Sequence, residues 1–218
     1  MGMRDIAVTA AACVALAGAG FFSGNVISGR RSQRLSSIPP RAITKGTITR
    51  PAGHPILVIF SDYECPGCRL FDSVLQVARG RYRDTLFVGF HHYVLETAHH
   101  NARQAANAAE CAREQGRFDV FDSLLFRQKN LGKVTWSHLA SEASVADVAK
   151  FEACLSDLRF DAVITRDIAL GNKIGLRGTP SFIIGDTMYT EVPSVPRLDS
   201  LIAREIAAAP HRKLIIRR

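Results

Sequence analysis

The sequence predicts an α/β fold made of two halves separated by a long helical block, and three observations carry that prediction. Residues 56–60 form a continuous apolar run rich in β-branched side chains, the pattern of a strand buried on both faces. A helical pattern and a second apolar run, residues 86–90, follow at once. This is a strand–helix–strand unit, for which parallel pairing and a right-handed crossover are expected. Residues 99–175 show helical patterns and no convincing strand, and the chain then closes with a hairpin signal and one more helix.

With 218 residues, 47% hydrophobic and 22% charged, the chain has enough apolar material for one domain with its own core. Residues 6–29 carry no charge, and 24 residues at about 1.5 Å each can cross a hydrocarbon core of about 30 Å. Residues 1–29 are therefore expected to be a signal peptide, with Ala17-Gly18-Ala19 as the cleavage site, or an uncleaved transmembrane anchor. Both readings place the domain outside the cytoplasm, in the periplasm or its equivalent, and the anchor would tether it to the inner membrane. The flanking charges point the other way. Arg30, Arg31 and Arg34 follow the run, while Arg4, offset by Asp5, precedes it, an order that would hold the domain inside. The cysteine pattern outweighs them.

Residues 30–44, with Pro39-Pro40 and several Ser and Arg, read as a solvated linker, and residues 45–210 as the main domain. The basic tail, 211–218, reads as a solvated end able to touch lipid headgroups. The net charge of +8 favours acidic partners or an anionic surface. No basic stripe interleaved with aromatics occurs, so nucleic acid is not an expected partner.

Within the domain, Leu70, Phe71, Val74, Leu75 and Ala78 are expected on one helical face, with Gly80 as the C-cap. The helical block comprises 101–115 with Ala102, Ala105, Ala106 and Ala109 on one stripe, then 118–126, 135–143, 147–158 and 159–174. Val148, Phe151, Cys154, Leu155 and Leu158 are expected together on the fourth. Gly185-Asp186 marks a tight turn between strands at 181–184 and 187–191, and a helix at 197–209 is stopped by Pro210.

The chemistry lies in Cys65-Pro66-Gly67-Cys68, between the first strand and its helix. Two cysteines at this spacing close a small disulfide ring without moving the fold. With Cys65 at the N-cap, its sulfur faces the free N–H groups and the positive end of the helix dipole, which favour the nucleophilic thiolate. Pro66 suits the first helical position, Gly67 leaves the sulfur open to a bulky substrate, and Cys68 becomes the buried resolving thiol. The competing reading is half of a zinc site completed by His91, His92, His99 or His100, each better read as a surface or capping histidine. Far downstream, Thr179-Pro180 precedes a strand; a cis bond there would bring backbone groups against the cysteine turn, to pair with an incoming peptide.

These residues resemble the thioredoxin superfamily, in particular its DsbA-like branch, in which a helical domain is inserted between the two halves of a thioredoxin fold. The resemblance rests on Phe60-Ser61-Asp62-Tyr63-Glu64-Cys65-Pro66-Gly67-Cys68, on His100-Asn101-Ala102-Arg103-Gln104-Ala105-Ala106 and on Gly178-Thr179-Pro180-Ser181-Phe182, and covers about residues 45–208. It implies a nucleophilic Cys65, a resolving Cys68 and a cis Pro180 shaping the substrate groove. It also implies a second, structural disulfide between Cys111 and Cys154, against which stands the reading of two unrelated buried thiols. The sequence departs from the branch twice. Strong oxidants carry a histidine between the cysteines, where this chain has Pro-Gly. Many relatives hold a buried acid six positions before the nucleophile, where this chain has Ile59, with Asp62 and Glu64 nearer the surface. The expected function is thiol–disulfide exchange on exported proteins, fed by a membrane or periplasmic redox partner. No cofactor is expected beyond the Cys65–Cys68 couple, and no metal. The alternative is a copper-binding module using the same thiolates.

Overall fold

A computed structural model of the protein describes residues 56–208 and the backbone of residues 32–34; the leader, most of the linker and the basic tail lie outside the described residues. The apolar run becomes strand β2 (Ile56–Ser61), buried from Leu57 onward. It feeds helix α1 (Pro66–Arg81), which returns to strand β3 (Phe87–His92), and β2 and β3 pair in parallel from Ile56↔Phe87 to Ser61↔His92. The hairpin β4 (Ser181–Ile184) and β5 (Thr187–Tyr189) turns at Gly185, whose φ of +67° suits a residue without Cβ. β4 joins β2 antiparallel in the register Phe60↔Ser181.

A three-residue strand, β1 (Ser32–Arg34), pairs antiparallel with β5, so the sheet order is β1-β5-β4-β2-β3. This corrects the reading of 30–44 as a wholly solvated linker. β5 would otherwise present an open row of backbone donors and acceptors, and three linker residues satisfy it. Among the described residues no helix is long and apolar enough to cross a membrane.

Alternation along β2 sorts the core. Leu57 and Ile59 pack with Phe71 and Leu75 of α1 and with Leu198, Leu201 and Ile202 of the last helix, α7 (Val195–Ala208). Val58 and Phe60 face the other way, toward Tyr93, Ile174 and Leu176. On α1 the buried stripe is Cys68, Phe71, Leu75 and Ala78, whereas Leu70 is 63% exposed. Leu70 therefore does not share the inner face, because at 100° per residue it falls outside the stripe that starts at Cys68. Gly80 is not the C-cap either: α1 runs through Arg81, and Tyr82 caps it by donating its N–H to Ala78 O.

Between β3 and β4 lie five α-helices, α2 (Ala102–Glu114), α3 (Phe118–Arg127), α4 (Trp136–Glu142), α5 (Val148–Ser156) and α6 (Asp161–Lys173), with a short 3-10 turn at Leu131–Lys133. The expected single stripe on α2 understates its burial, since Ala105, Ala106, Ala108, Ala109, Cys111 and Ala112 are all fully buried. Alanine lets neighbouring helices approach on several sides, so α2 is the axis of the insertion. Leu158 does not join the inner face of α5: the helix ends at Ser156, and Leu158 is 54% exposed.

Candidate active site

The register Phe60↔Ser181 sets Thr179 and Pro180 across from the end of β2, where the cysteine turn begins. The Thr179–Pro180 bond is cis. Cys65 is the N-cap of α1, with extended backbone (φ −71°, ψ 121°), and Pro66 opens the helix. The carbonyl of Cys65 accepts from Cys68 N and Arg69 N at 3.1 and 3.2 Å. Gly67 is required by a close approach: a Cβ there would stand 3.0 Å from Pro180 Cδ and 3.7 Å from Cys65 Sγ. Sequence positions more than a hundred apart thus meet in one turn-and-loop site.

The two thiols are free and unequal. Cys65 is 8% exposed and Cys68 1%. Cys65 Sγ donates to Thr179 O at 3.3 Å, and Asp62 N–H donates to Cys68 Sγ at 3.5 Å. The Cys68 thiol donating to Cys65, then the Thr179 side chain and the N–H groups of Cys68 and Gly67, hold the Cys65 thiol down at about 5 against the opposing effect of burial. None of these N–H groups makes a formal capping bond to the sulfur; they act as oriented partial charges at the helix start. The Cys68 thiol is pushed far above its ordinary value by burial, by its bond to Cys65 and by negative charge on Cys65, while Ser61 and Thr179 work in the opposite direction. The arrangement favours a thiolate at Cys65, which keeps 8% of its surface open, over a protonated thiol at the more enclosed Cys68.

Around this pair, acids that are buried (Asp62, Asp122) or half-buried (Glu64) tie the turn to the insertion. Asp62 is not near the surface as expected: it is 1% exposed, its Oδ1 accepts from Glu64 N at 2.8 Å and its Oδ2 from Leu95 N at 2.8 Å. His99 Nδ1 lies 2.9 Å from Asp62 Oδ2, an ion-pair distance without an aligned hydrogen bond. Glu64 accepts from Asn101 N and Nδ2 at 2.7 and 2.8 Å. Tyr63 OH donates to Asp122 Oδ1 at 2.9 Å, and Asp122 is wholly buried.

The histidines weighed for zinc serve elsewhere. His91 and His92 point to opposite faces of β3, as adjacent strand residues must. His91 Nδ1 meets Asp167 Oδ1 at 2.7 Å, and His92 Nε2 meets Glu110 Oε1 at 2.8 Å. Both are nearly inaccessible, which corrects the surface reading for these two; His100 is exposed. Among the described residues no group of three or more His, Cys, Asp or Glu is placed to hold a metal ion. Cys111 on α2 and Cys154 on α5 are joined by a disulfide, with their Cα atoms 5.9 Å apart. Sequence reasoning gave Ser61 and Tyr63 no role beyond their place in the Phe60–Cys68 motif, and missed Asp122. Only period-2 alternation carried on from Leu57 and Ile59 pointed to Ser61, and Asp122 had no signal at all.

A parallel strand–helix–strand unit, an antiparallel hairpin with a cis proline at its entry, and a Cys-Pro-Gly-Cys turn between them define a thioredoxin-type oxidoreductase fold. The chain belongs to the thioredoxin family, whose model, described as "Thioredoxin", matches residues 43–204. Its solved structural relatives include a thioredoxin-like oxidoreductase from Silicibacter pomeroyi, 23% identical with a TM-score of 0.66, covering 79% of this chain and 100% of that one. Another is the thiol-disulfide exchange protein alpha-DsbA2 from Wolbachia pipientis, 16% identical with a TM-score of 0.63, covering 72% and 84%. The helical insertion between the halves is the DsbA-like arrangement. A curated relative, the Na(+)/H(+) antiporter NhaA 3 of Salinispora tropica, is 27% identical over 161 residues, 73% of this chain and 24% of that protein. The chain thus spans about a quarter of that relative's length.

Proposed function

We propose that this protein catalyses thiol–disulfide exchange on exported proteins, with Cys65 as nucleophile and Cys68 as resolving thiol. The observation that carries the reading is geometric: two free thiols at the first turn of α1, Cys65 at the N-cap against the cis Thr179–Pro180 loop and Cys68 enclosed beneath it. In the reducing direction, Cys65 thiolate attacks a client disulfide, forming a Cys65–client mixed disulfide and releasing one client thiolate. Cys68 then gives up its proton and attacks Cys65 Sγ. The second client thiolate leaves, and the Cys65–Cys68 disulfide holds the two electrons' worth of oxidation. The reverse sequence oxidises a client. The Thr179 carbonyl, to which Cys65 donates as a thiol, is released when Cys65 ionises and becomes an acceptor for a client backbone N–H. Pro66, Gly67, Thr179 and Pro180 line that contact, and no cofactor is needed beyond the cysteine couple itself.

The uncharged segment 6–29 and the buried Cys111–Cys154 bond support an extracytoplasmic location, tethered or released, with a membrane or periplasmic redox partner renewing the couple. The test is exchange with a disulfide-bonded peptide. Cys65→Ser should abolish it, and Cys68→Ser should accumulate a mixed disulfide visible by mass. A wild-type rate no better than that of free dithiothreitol would sink the reading. A glutathione titration of the couple sets direction: about −120 mV marks an oxidant and about −270 mV a reductant. Stoichiometric Cu(I) uptake without exchange would favour the copper module instead.

A further inference from the structure

We propose that the Ser61 hydroxyl is a catalytic hydrogen-bond donor to the Cys68 sulfur, stabilising it as a thiolate both when it leaves the Cys65–Cys68 disulfide and when it attacks the mixed disulfide. The proposal rests on the exchange reading and adds a residue to it. Leu57, Ile59 and Ser61 alternate onto the same face of β2, and the first two pack against Phe71 and Leu75 of α1. One step further along that face, Ser61 meets the first turn of the same helix, where Cys68 sits. Ser61 is 3% exposed, and its backbone is fixed on the neighbouring strand side by Tyr93 N–H donating to Ser61 O at 2.9 Å.

The next residue contributes its N–H to the same sulfur, Asp62 N to Cys68 Sγ at 3.5 Å. The alternation of β2 turns the buried Ser61 side chain toward this sulfur, and a hydroxyl there works against the burial that pushes the Cys68 thiol up. On this face of β2 the side chain below Ser61 is Ile59, which offers neither proton nor charge. Ser61 is therefore the polar group that the strand presents to the buried sulfur.

The step balances without a base from the strand. An external thiolate RS⁻ bonds Cys65 Sγ, the Cys65–Cys68 bond breaks, and the electron pair stays on Cys68. The Ser61 proton remains on its oxygen while bridging to that sulfur, and Cys68 later takes a proton from solvent. In the return direction solvent removes the Cys68 proton and the same bridge stabilises the attacking anion. Serine keeps the donor without placing a permanent charge beside Cys65.

The experiment opens the oxidised Cys65–Cys68 ring with excess dithiothreitol from pH 5 to 9 in wild type, Ser61→Ala and Ser61→Thr. Losing a hydrogen bond to a charged group should slow ring opening by about tenfold or somewhat more in Ser61→Ala. Ser61→Thr, which keeps the hydroxyl, should recover most of that rate. The equilibrium potential of the couple should move much less than the rate, since Cys68 ends as a thiol; a merely structural defect would not divide the two this way. Wild-type opening rates in Ser61→Ala at every pH, or a Ser61→Thr variant as slow as Ser61→Ala, would overturn the proposal. Ring opening by dithiothreitol is independent of any client, so failure of client exchange tells against the proposed function and leaves the Ser61 result to stand or fall alone.

Discussion

Two pairs of cysteines sit in one domain and are held in opposite states by their surroundings, one bonded and one free. Cys111 and Cys154 lie at 0% exposure on two helices of the insertion, bonded to each other and beyond the first turn of their own helices. Cys65 and Cys68 sit at the first turn of α1, free, with the slightly more open sulfur against a peptide carbonyl and the other beneath it. Burial alone does not make the difference, because Cys68 is as enclosed as Cys154. What separates the pairs is a helix N-terminus, a partner sulfur three residues away and hydroxyl and N–H donors aimed at the sulfurs. The helix start sets the state of one pair, and the meeting of two helices sets the bond of the other.

The comparison breaks first at Cys65. Cys65→Ser should remove client exchange altogether, while Cys111→Ala with Cys154→Ala should leave the initial rate within about twofold, because that pair supplies stability and not chemistry. Iodoacetamide should modify reduced Cys65 with a midpoint near pH 5 and spare Cys68 in the folded protein; equal labelling of both thiols would erase the distinction.

Removing the second pair should instead appear in unfolding. A bridge across a separation of 43 residues is worth about 4 kcal/mol in the chain-entropy model, so the urea midpoint should fall sharply in the double alanine variant. An unchanged midpoint would mean that the insertion does not depend on its bond.

A third, smaller effect lies where the two regions meet. Asp122 on α3 holds Tyr63, two residues before Cys65, and burial raises the Asp122 carboxyl to about 7; of the groups around it Arg79 opposes this, Asp72 and Asp119 add to it, and Tyr63 opposes it through its hydrogen bond. Its Oδ2 has no hydrogen-bond partner among the described residues. Because the folded state binds this proton more tightly than the unfolded chain does, its contribution to stability falls as pH rises from about 4 to about 7. Asp122→Asn keeps an acceptor for Tyr63 and should be more stable than wild type by about 1–3 kcal/mol at pH 8, with the gap closing toward pH 4. Glu110 runs the opposite way: it is held at about 2, with burial opposed by His92 and Arg113, so its contribution is present above about pH 4.5 and lost below. Urea titrations at pH 3, 5 and 8 would separate the two, since the Asp122 effect changes between pH 5 and 8 and the Glu110 effect between pH 5 and 3.

The smallest expected change is Gly67→Ala. Its Cβ would press on Pro180 Cδ, displacing the loop by a few tenths of an ångström and slowing exchange a few-fold with little effect on the melting temperature.

Much of this was legible in the chain. The order strand, helix, strand, helical block, hairpin and helix follows from periodicity and turn chemistry, because both are local. The Cys65–Cys68 spacing, Pro66 at the first helical position and the hairpin glycine follow for the same reason. Helix ends and faces were less legible: Gly80 and Leu70 were misplaced because the cysteine at the first turn, not the leucine after it, begins the buried stripe of α1. Tertiary structure alone decided that Asp62 would be buried, that Tyr63 would find Asp122 across 59 residues, that His91 and His92 would pair with acids, and that the Asp62 N–H would meet the Cys68 sulfur. Local sequence determines which way a strand or helix turns its side chains. Only the packing of distant segments determines what those side chains meet, and it is the meeting that sets the charge of a sulfur.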